Sequence, residues 1–131
     1  MTDNYYKPCR EFDDCNELIE KYYLTGQYEK CFEGHLKLAE GGYPLAECQV
    51  GFFYYEGLGV DKDLEKSFYW TQRGAEHGDR DAQYNLAEMF YARGTVVEKD
   101  IEKATEWYRR AAASGHEEAL EKCRASNGKD G

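Results

Sequence analysis

The chain has 131 residues, with 26 carboxylates against 17 Lys and Arg, and a formal net charge of -9. That length holds one domain, and the acidic balance argues against nucleic acid or anionic lipid as partner, because phosphate groups are repelled. It favours basic peptides or basic protein faces, mainly through association rate. A hydrophobic share of 41% with twelve tyrosines argues against disorder, and no apolar run reaches the length of a membrane span. The first fifteen residues lack the basic-then-apolar layout of a secretory signal. The five cysteines, at 9, 15, 31, 48 and 123, form no even-numbered disulfide framework. They read as reduced thiols in a cytoplasmic protein, three of them on helix core faces, with Cys9 and Cys15 the pair most open to redox chemistry.

Residues 1–8 are polar and tyrosine-bearing and are expected to fray. A first helix is predicted from residue 9 or 10 to 24, because Phe12, Cys15, Leu18, Ile19 and Tyr22 fall at spacings of three and four. Gly26 ends it, supplying the positive φ of a helix C-terminus. A second helix follows over 27–40, with Tyr28, Cys31, Phe32, His35, Leu38 and Ala39 inward, and Gly41-Gly42-Tyr43-Pro44 stops it. A third runs over 45–56 and buries Ala46, Val50, Gly51, Phe53 and Tyr54.

The stretch Gly57-Leu58-Gly59-Val60-Asp61-Lys62 turns sharply, with Val60 as an apolar plug and Asp63 as the N-cap of a fourth helix ending near 77. A fifth helix is predicted over 81–93, a sixth over 100–114 capped by Asp100, and a seventh from 117 to about 125, with a polar tail over 126–131. The loop over 94–99 has one glycine, and the extra residue of the second copy is assigned between Arg93 and Asp100.

The third and fourth helices recur in the fifth and sixth. Ala46 to Ala82 is 36 residues, Ala82 to Ala119 is 37, and Trp70 to Trp107 is 37. A period in the mid-thirties marks a helical repeat array, whose terminal unit must cover the last apolar face. Gly51, Ala87, Ala75 and Ala112 are small where helices approach closely, and Trp70 and Trp107 fill space between pairs. A fully buried Trp107 would make Trp107→Ala cost about 3–5 kcal/mol.

The residues Ala46, Val50, Gly51, Tyr54, Gly57, Gly59, Val60, Asp63, Lys66, Ser67, Trp70, Gly74, Ala75 and Gly78 resemble the Sel-one-like repeat, a relative of the tetratricopeptide repeat. The second copy reads Ala82, Leu86, Ala87, Phe90, Gly94, Val97, Asp100, Lys103, Ala104, Trp107, Ala111, Ala112 and Gly115. Residues 27–42 match the second-helix half of a unit, and the first helix matches weakly. The resemblance implies an all-α, right-handed α-solenoid of about three antiparallel helix pairs plus a capping helix. The units fall at about 9–42, 45–78 and 81–115 of a single domain. It implies adaptor or scaffold work and no chemistry. A cysteine-rich secreted branch of the family carries one disulfide per repeat, and the cysteines here do not follow that plan.

Mapping tetratricopeptide groove positions onto this chain implies a concave, acidic, tyrosine-rich face. It is formed by Asn16, Glu20 and Tyr23, then Cys48, Gln49, Phe52, Tyr55 and Glu56, then Tyr84, Asn85, Glu88 and Tyr91. At a 36-residue spacing Tyr55 and Tyr91 form a ladder, as do Gln49 with Asn85 and Phe52 with Glu88. Amides and tyrosines suit an extended peptide carrying Arg, Lys or Pro, although any one tyrosine can equally serve inter-helix packing. His35, His77 and His116 are not in metal-ligand spacing and read as structural or surface residues. Gly57-x-Gly59 lacks the strand and third glycine of a dinucleotide loop, and no nucleophile motif is present. The expectation is a monomeric, non-enzymatic protein-interaction module without cofactor, binding a basic or extended protein segment. The alternative is an inhibitor or immunity protein that neutralises one basic target. An enzyme, such as a hydrolase, has no supporting residues.

Overall fold

A computed structural model describes the backbone of residues 8–129 and the side chains of 10–125; the frayed start expected over 1–8 and the Cys9 side chain fall outside that range, apart from the backbone of Pro8, which is helical. The helices are α1 (Pro8–Leu18), α2 (Tyr28–Glu40), α3 (Pro44–Glu56), α4 (Leu64–Glu76), α5 (Arg80–Asn85), α6 (Ile101–Ala113) and α7 (Glu117–Lys129). Two of them continue in π-helical turns, α1 through Ile19–Tyr23 and α5 through Leu86–Tyr91. No strand occurs among the described residues. The fold is a right-handed α-solenoid of antiparallel pairs, α1 with α2, α3 with α4, and α5 with α6, closed by α7. The tail expected from residue 126 is helical as far as Lys129.

Local chemistry sets each boundary. Pro44 opens α3, where its missing N–H is no loss. Asp63 and Asp100 cap α4 and α6, each accepting a 3.0 Å hydrogen bond from a main-chain N–H, of Lys66 and of Lys103. Gly57 ends α3 at φ 71°, and its N–H donates to the Phe53 carbonyl at 2.8 Å.

The two long loops prove equal in length. Gly94 repeats Gly57, donating to Phe90 at 2.8 Å, and Asp100 N–H donates to Tyr91 O at 2.9 Å as Asp63 does to Tyr54 at 3.0 Å. The extra residue therefore does not lie between Arg93 and Asp100. It lies inside the fifth helix, where Val50 and Phe53 are separated by two residues and their buried counterparts Leu86 and Phe90 by three. The helix absorbs it as the π turn, with Ala92 N–H reaching back five residues to Ala87 O at 2.8 Å. Val96 takes the place of Gly59, and both have positive φ, 67° and 68°. Gly59 packs on the Tyr28 main chain, where a Cβ would overlap the carbonyl. Val96 is instead 47% exposed, so the position tolerates a side chain despite its strained backbone.

The core lies in layers between successive pairs. One layer gathers Cys15, Cys31, Phe32, Ala39, Ala46, Val50, Phe53 and Tyr54. The next gathers Cys48, Ala75, Ala82, Leu86, Ala87, Phe90, Tyr91 and Ala104. Val60 and Val97 pack against these layers as the plug reading expects. The tryptophans are only half-buried, each under a guanidinium, Arg73 over Trp70 at 5.8 Å and Arg110 over Trp107 at 4.5 Å. The cost set out for a fully buried indole does not apply.

Two outcomes follow. Trp107→Ala should lose about 2 kcal/mol in a urea melt, the sum of partial burial and the cation–π contact. Deleting Met89 should turn the π turn into regular α-helix and leave a folded protein. Its melting midpoint should fall far less than that of a chain with Phe68 deleted, and a deletion as damaging as that control would contradict the placement of the inserted residue.

Candidate partner-binding surface

The first helices of successive pairs, α1, α3 and α5, stand side by side, with α7 next in the row. A polar belt joins three of them. Arg93 Nη1 donates to Tyr55 Oη at 3.3 Å, Arg93 Nη2 lies 3.6 Å from Glu88 Oε2, and Lys122 Nζ lies 3.2 Å from Glu88 Oε1. Tyr108 Oη donates to the same Glu88 oxygen at 2.5 Å. These donors hold the Glu88 carboxyl below its ordinary range, the Tyr108 hydrogen bond foremost. Burial, then Glu88, raises the Tyr108 hydroxyl in turn. Tyr84 donates to Glu118 at 3.4 Å and stacks on His116 at 4.3 Å, and burial first, then Glu88, pushes its hydroxyl up to about 12.

The residues assigned to the groove therefore divide. Tyr55, Tyr84 and Glu88 come together in this belt, but Glu88 and Tyr84 are taken up by groups of this chain. Asn85 reaches Cys48 Sγ at 3.9 Å, and Cys48, 5% exposed, is buried between α3 and α5 rather than lining a groove. Gln49 and Phe52 are half-buried on α3, and Glu56 is exposed. Asn16 and Glu20 are exposed on the first helix and its π turn, joined by a 3.1 Å hydrogen bond. Tyr23 is half-buried against Tyr28 and Phe53, with ring centroids 5.2 and 6.2 Å away.

Tyr91 needs correction. It is 9% exposed, its ring lies 6.3 Å from that of Phe68, and Lys103 stands 5.6 Å over it. Tyr54 has the same burial and the same kind of lysine, Lys66, at 5.7 Å. The π turn shifts the register, so Tyr91 repeats Tyr54, a core residue, and Tyr55 repeats Ala92. The Tyr55–Tyr91 ladder does not form. The same shift pairs Glu56 with Arg93, the belt residue that a 36-residue spacing misses, as it misses Tyr108 and Lys122.

Between α3 and the C-terminal end of α4 lies a buried carboxylate that the sequence reading passed over. The Glu47 side chain is fully buried, held by Arg73 Nε at 3.1 Å and His77 Nδ1 at 2.6 Å. His77, read as structural or surface, is 43% exposed and serves this pair. Glu11 is buried 36 residues earlier and accepts from Leu45 N–H at 2.5 Å; its Oε2 has no hydrogen-bond partner among the described residues, and nothing in the structure explains that. Asp79 caps α5 through Ala82 N–H at 2.9 Å, and burial raises its carboxyl to about 6. Burial first, then Glu11, pushes the Cys15 thiol up to about 12, and burial first, then Asp79, lifts Cys48 well above its ordinary value. Cys15, Cys31 and Cys48 are buried free thiols, which argues against Cys15 as a reactive partner. No group of three or more His, Cys, Asp or Glu among the described residues is placed to hold a metal ion, and no described helix is long and apolar enough to cross a membrane.

These features define a helical-repeat scaffold. The Sel1 repeat pattern matches residues 44–79 and 80–116, and the chain belongs to that family, whose repeats are protein-interaction modules. It is similar to a crystal structure of a Sel1 repeat protein from Oxalobacter formigenes, at 34% identity and a TM-score of 0.74 over 84% of this chain and 43% of that one. It also resembles c5321, a protective antigen of uropathogenic Escherichia coli with the same fold, at 29% identity and a TM-score of 0.69 over 82% and 23%. The chitin synthase regulator SKT5 of Saccharomyces cerevisiae is 34% identical over 68 residues, 47% of this chain and 10% of that protein. The chain thus spans a small part of that curated relative and less than half of the two solved structures.

The raised Asp79 carboxyl makes a signed prediction. Its folded value, about 6, lies above the ordinary 3.8, so its contribution to stability is full below pH 3.8 and is lost as pH rises through 6. Asp79→Asn keeps the cap and removes the titration. The stability of the Asn variant relative to wild type should therefore improve by up to about 3 kcal/mol between pH 4 and 8. His35, whose buried imidazole is held below its ordinary value by burial, acts with the opposite sign and is common to both proteins. Urea midpoints at three pH values provide the check, and a pH-independent difference would remove Asp79 as the source.

Proposed function

We propose that the chain is a non-catalytic scaffold that holds a protein segment against the face of α1, α3 and α5. The observation that carries this reading is the belt Tyr55–Arg93–Glu88–Lys122, which ties α3, α5 and α7 together on one side with Gln49 and Phe52 half-open beside it. A rigid row of helices with an amide and aromatic rings between them suits an extended backbone, and the net charge favours Lys or Arg on the bound segment. Asn16, Glu20, Tyr23, Glu56, Tyr84 and Asn85 border this face and contribute less, because several are already engaged within the chain. The fungal relative, named as a regulator of an enzyme, supports a role exerted on another protein. The scaffold acts in this reading as a monomer in a reducing, cytoplasmic setting, supported by the buried thiols.

A second reading, blockade of one basic target, rests on the charge balance alone. It differs in requiring very tight, salt-sensitive binding to a single protein.

The test is quantitative partner capture by immobilised wild type and by Phe52→Ala/Tyr55→Ala. Both rings are half-buried, so the variant should stay helical by circular dichroism. At least one specific partner should drop about fivefold or more. Equal recovery of every partner by the folded variant would sink the proposed face.

A further inference from the structure

The charge of this molecule is not spread along it. Residues 10–56 carry ten carboxylates against four Lys or Arg, whereas residues 57–125 carry fourteen against eleven. The ion pairs among the described residues engage Glu47, Asp81 and Glu88, and none engages a carboxylate of α1. On α1, Phe12 with Asn16 and Asp13 with Glu17 form two neighbouring rows at a spacing of four, and all four side chains are exposed. Phe12 is 60% exposed and makes no ring contact with another described residue.

Its repeat equivalents show what is missing. Cys48 and Tyr84 stand 36 and 72 residues further on. Cys48 is covered by Asn85, and Tyr84 by His116 and Glu118. Among the described residues, Phe12 alone of the three lacks such a cover, and it lies beside Asp13 and Glu17, which have no ion pair among the described residues. An exposed ring amid negative charge disfavours an acidic or purely apolar occupant.

We propose that the outward face of α1, Phe12 with Asp13, Asn16 and Glu17, docks a basic segment of a partner protein that lays one bulky apolar side chain on Phe12. The ring supplies the anchor, and the carboxylates set approach rate and orientation. The proposal rests on the reading of the chain as an interaction module and adds a second contact, at the opposite end from α7.

Fluorescence anisotropy of the full chain tests it. The probe is a labelled short peptide of Lys and Arg with one central Leu, and the same peptide with Ser in place of that Leu. Phe12→Ser should weaken binding of the Leu peptide about fivefold or more and change binding of the Ser peptide little. Asp13→Asn/Glu17→Gln should weaken both peptides and flatten the salt dependence. Phe12 is mostly exposed, so the variants should melt like wild type. Failure of wild type to bind either peptide, or unchanged affinity in Phe12→Ser, overturns the α1 site. Loss confined to Phe52→Ala/Tyr55→Ala moves the peptide to α3 and α5, which removes this site and leaves the interaction reading standing. A dimer in sedimentation that Phe12→Ser dissolves would make a second copy the occupant and overturn the basic partner.

Discussion

Everything in this array depends on how closely α3 and its neighbours approach α4. A Cβ at Gly51 would collide with Thr71 Oγ1 and press on the Ser67 carbonyl, and one at Gly74 would lie 3.1 Å from both Ala82 Cβ and Pro44 O. At that separation the Ser67 hydroxyl can reach the Gly51 carbonyl at 2.7 Å. The same closeness lets Arg73 and His77 of α4 cover the Glu47 carboxylate. Widening the pair by one methyl would loosen the packing and the buried ion pair together.

The next pair solves the same problem with different parts. Ala87 replaces Gly51 and is fully buried, and its carbonyl accepts from Ala92 within the π turn instead of from a serine. Gln83 replaces Glu47, donating to the Ala75 carbonyl at 3.1 Å and facing Ser114 Oγ at 3.4 Å, so no charge is buried there. Glu11 holds the corresponding place in the first pair, on the Leu45 N–H. One repeat position thus carries a capping carboxylate, an ion-paired carboxylate and a neutral amide. A buried charge is costly unless fully paired, and of the three only Glu47 has both its oxygens held by side chains, Arg73 on one and His77 on the other.

The frame was legible because its signals are local. Gly57, Asp63, Gly94 and Asp100 act through turn and cap chemistry that their own neighbours complete, and the structure places them as the sequence predicts. The location of the inserted residue was not legible. A loop is the usual place for one, and nothing in Leu86-Ala87-Glu88-Met89 announces a π turn. That single error carried into the surface, since one residue of slip in a helix turns every later side chain by about 100°. Tyr91 moved from groove to core, and Arg93 moved onto the belt. Contacts between distant segments, such as Glu47 with His77 or Glu88 with Lys122, depend on packing that no short motif encodes.

The π turn also bears on what the surface can be. In α3 the regular helix leaves Gln49, Phe52 and Tyr55 in reach of one another at spacings of three. In the fifth helix the extra residue turns Arg93 back toward Tyr55 and Glu88, and α7 adds Lys122. The third pair thus ties Glu88 into its own contacts, while α1 leaves Asp13 and Glu17 exposed without an ion pair among the described residues, and α3 leaves its aromatic ring and amide half-buried. In the proposed reading, charge and apolar contact are both offered by the first two pairs, and the belt contacts of Arg93 and Lys122 tie α3 to the third pair and α7.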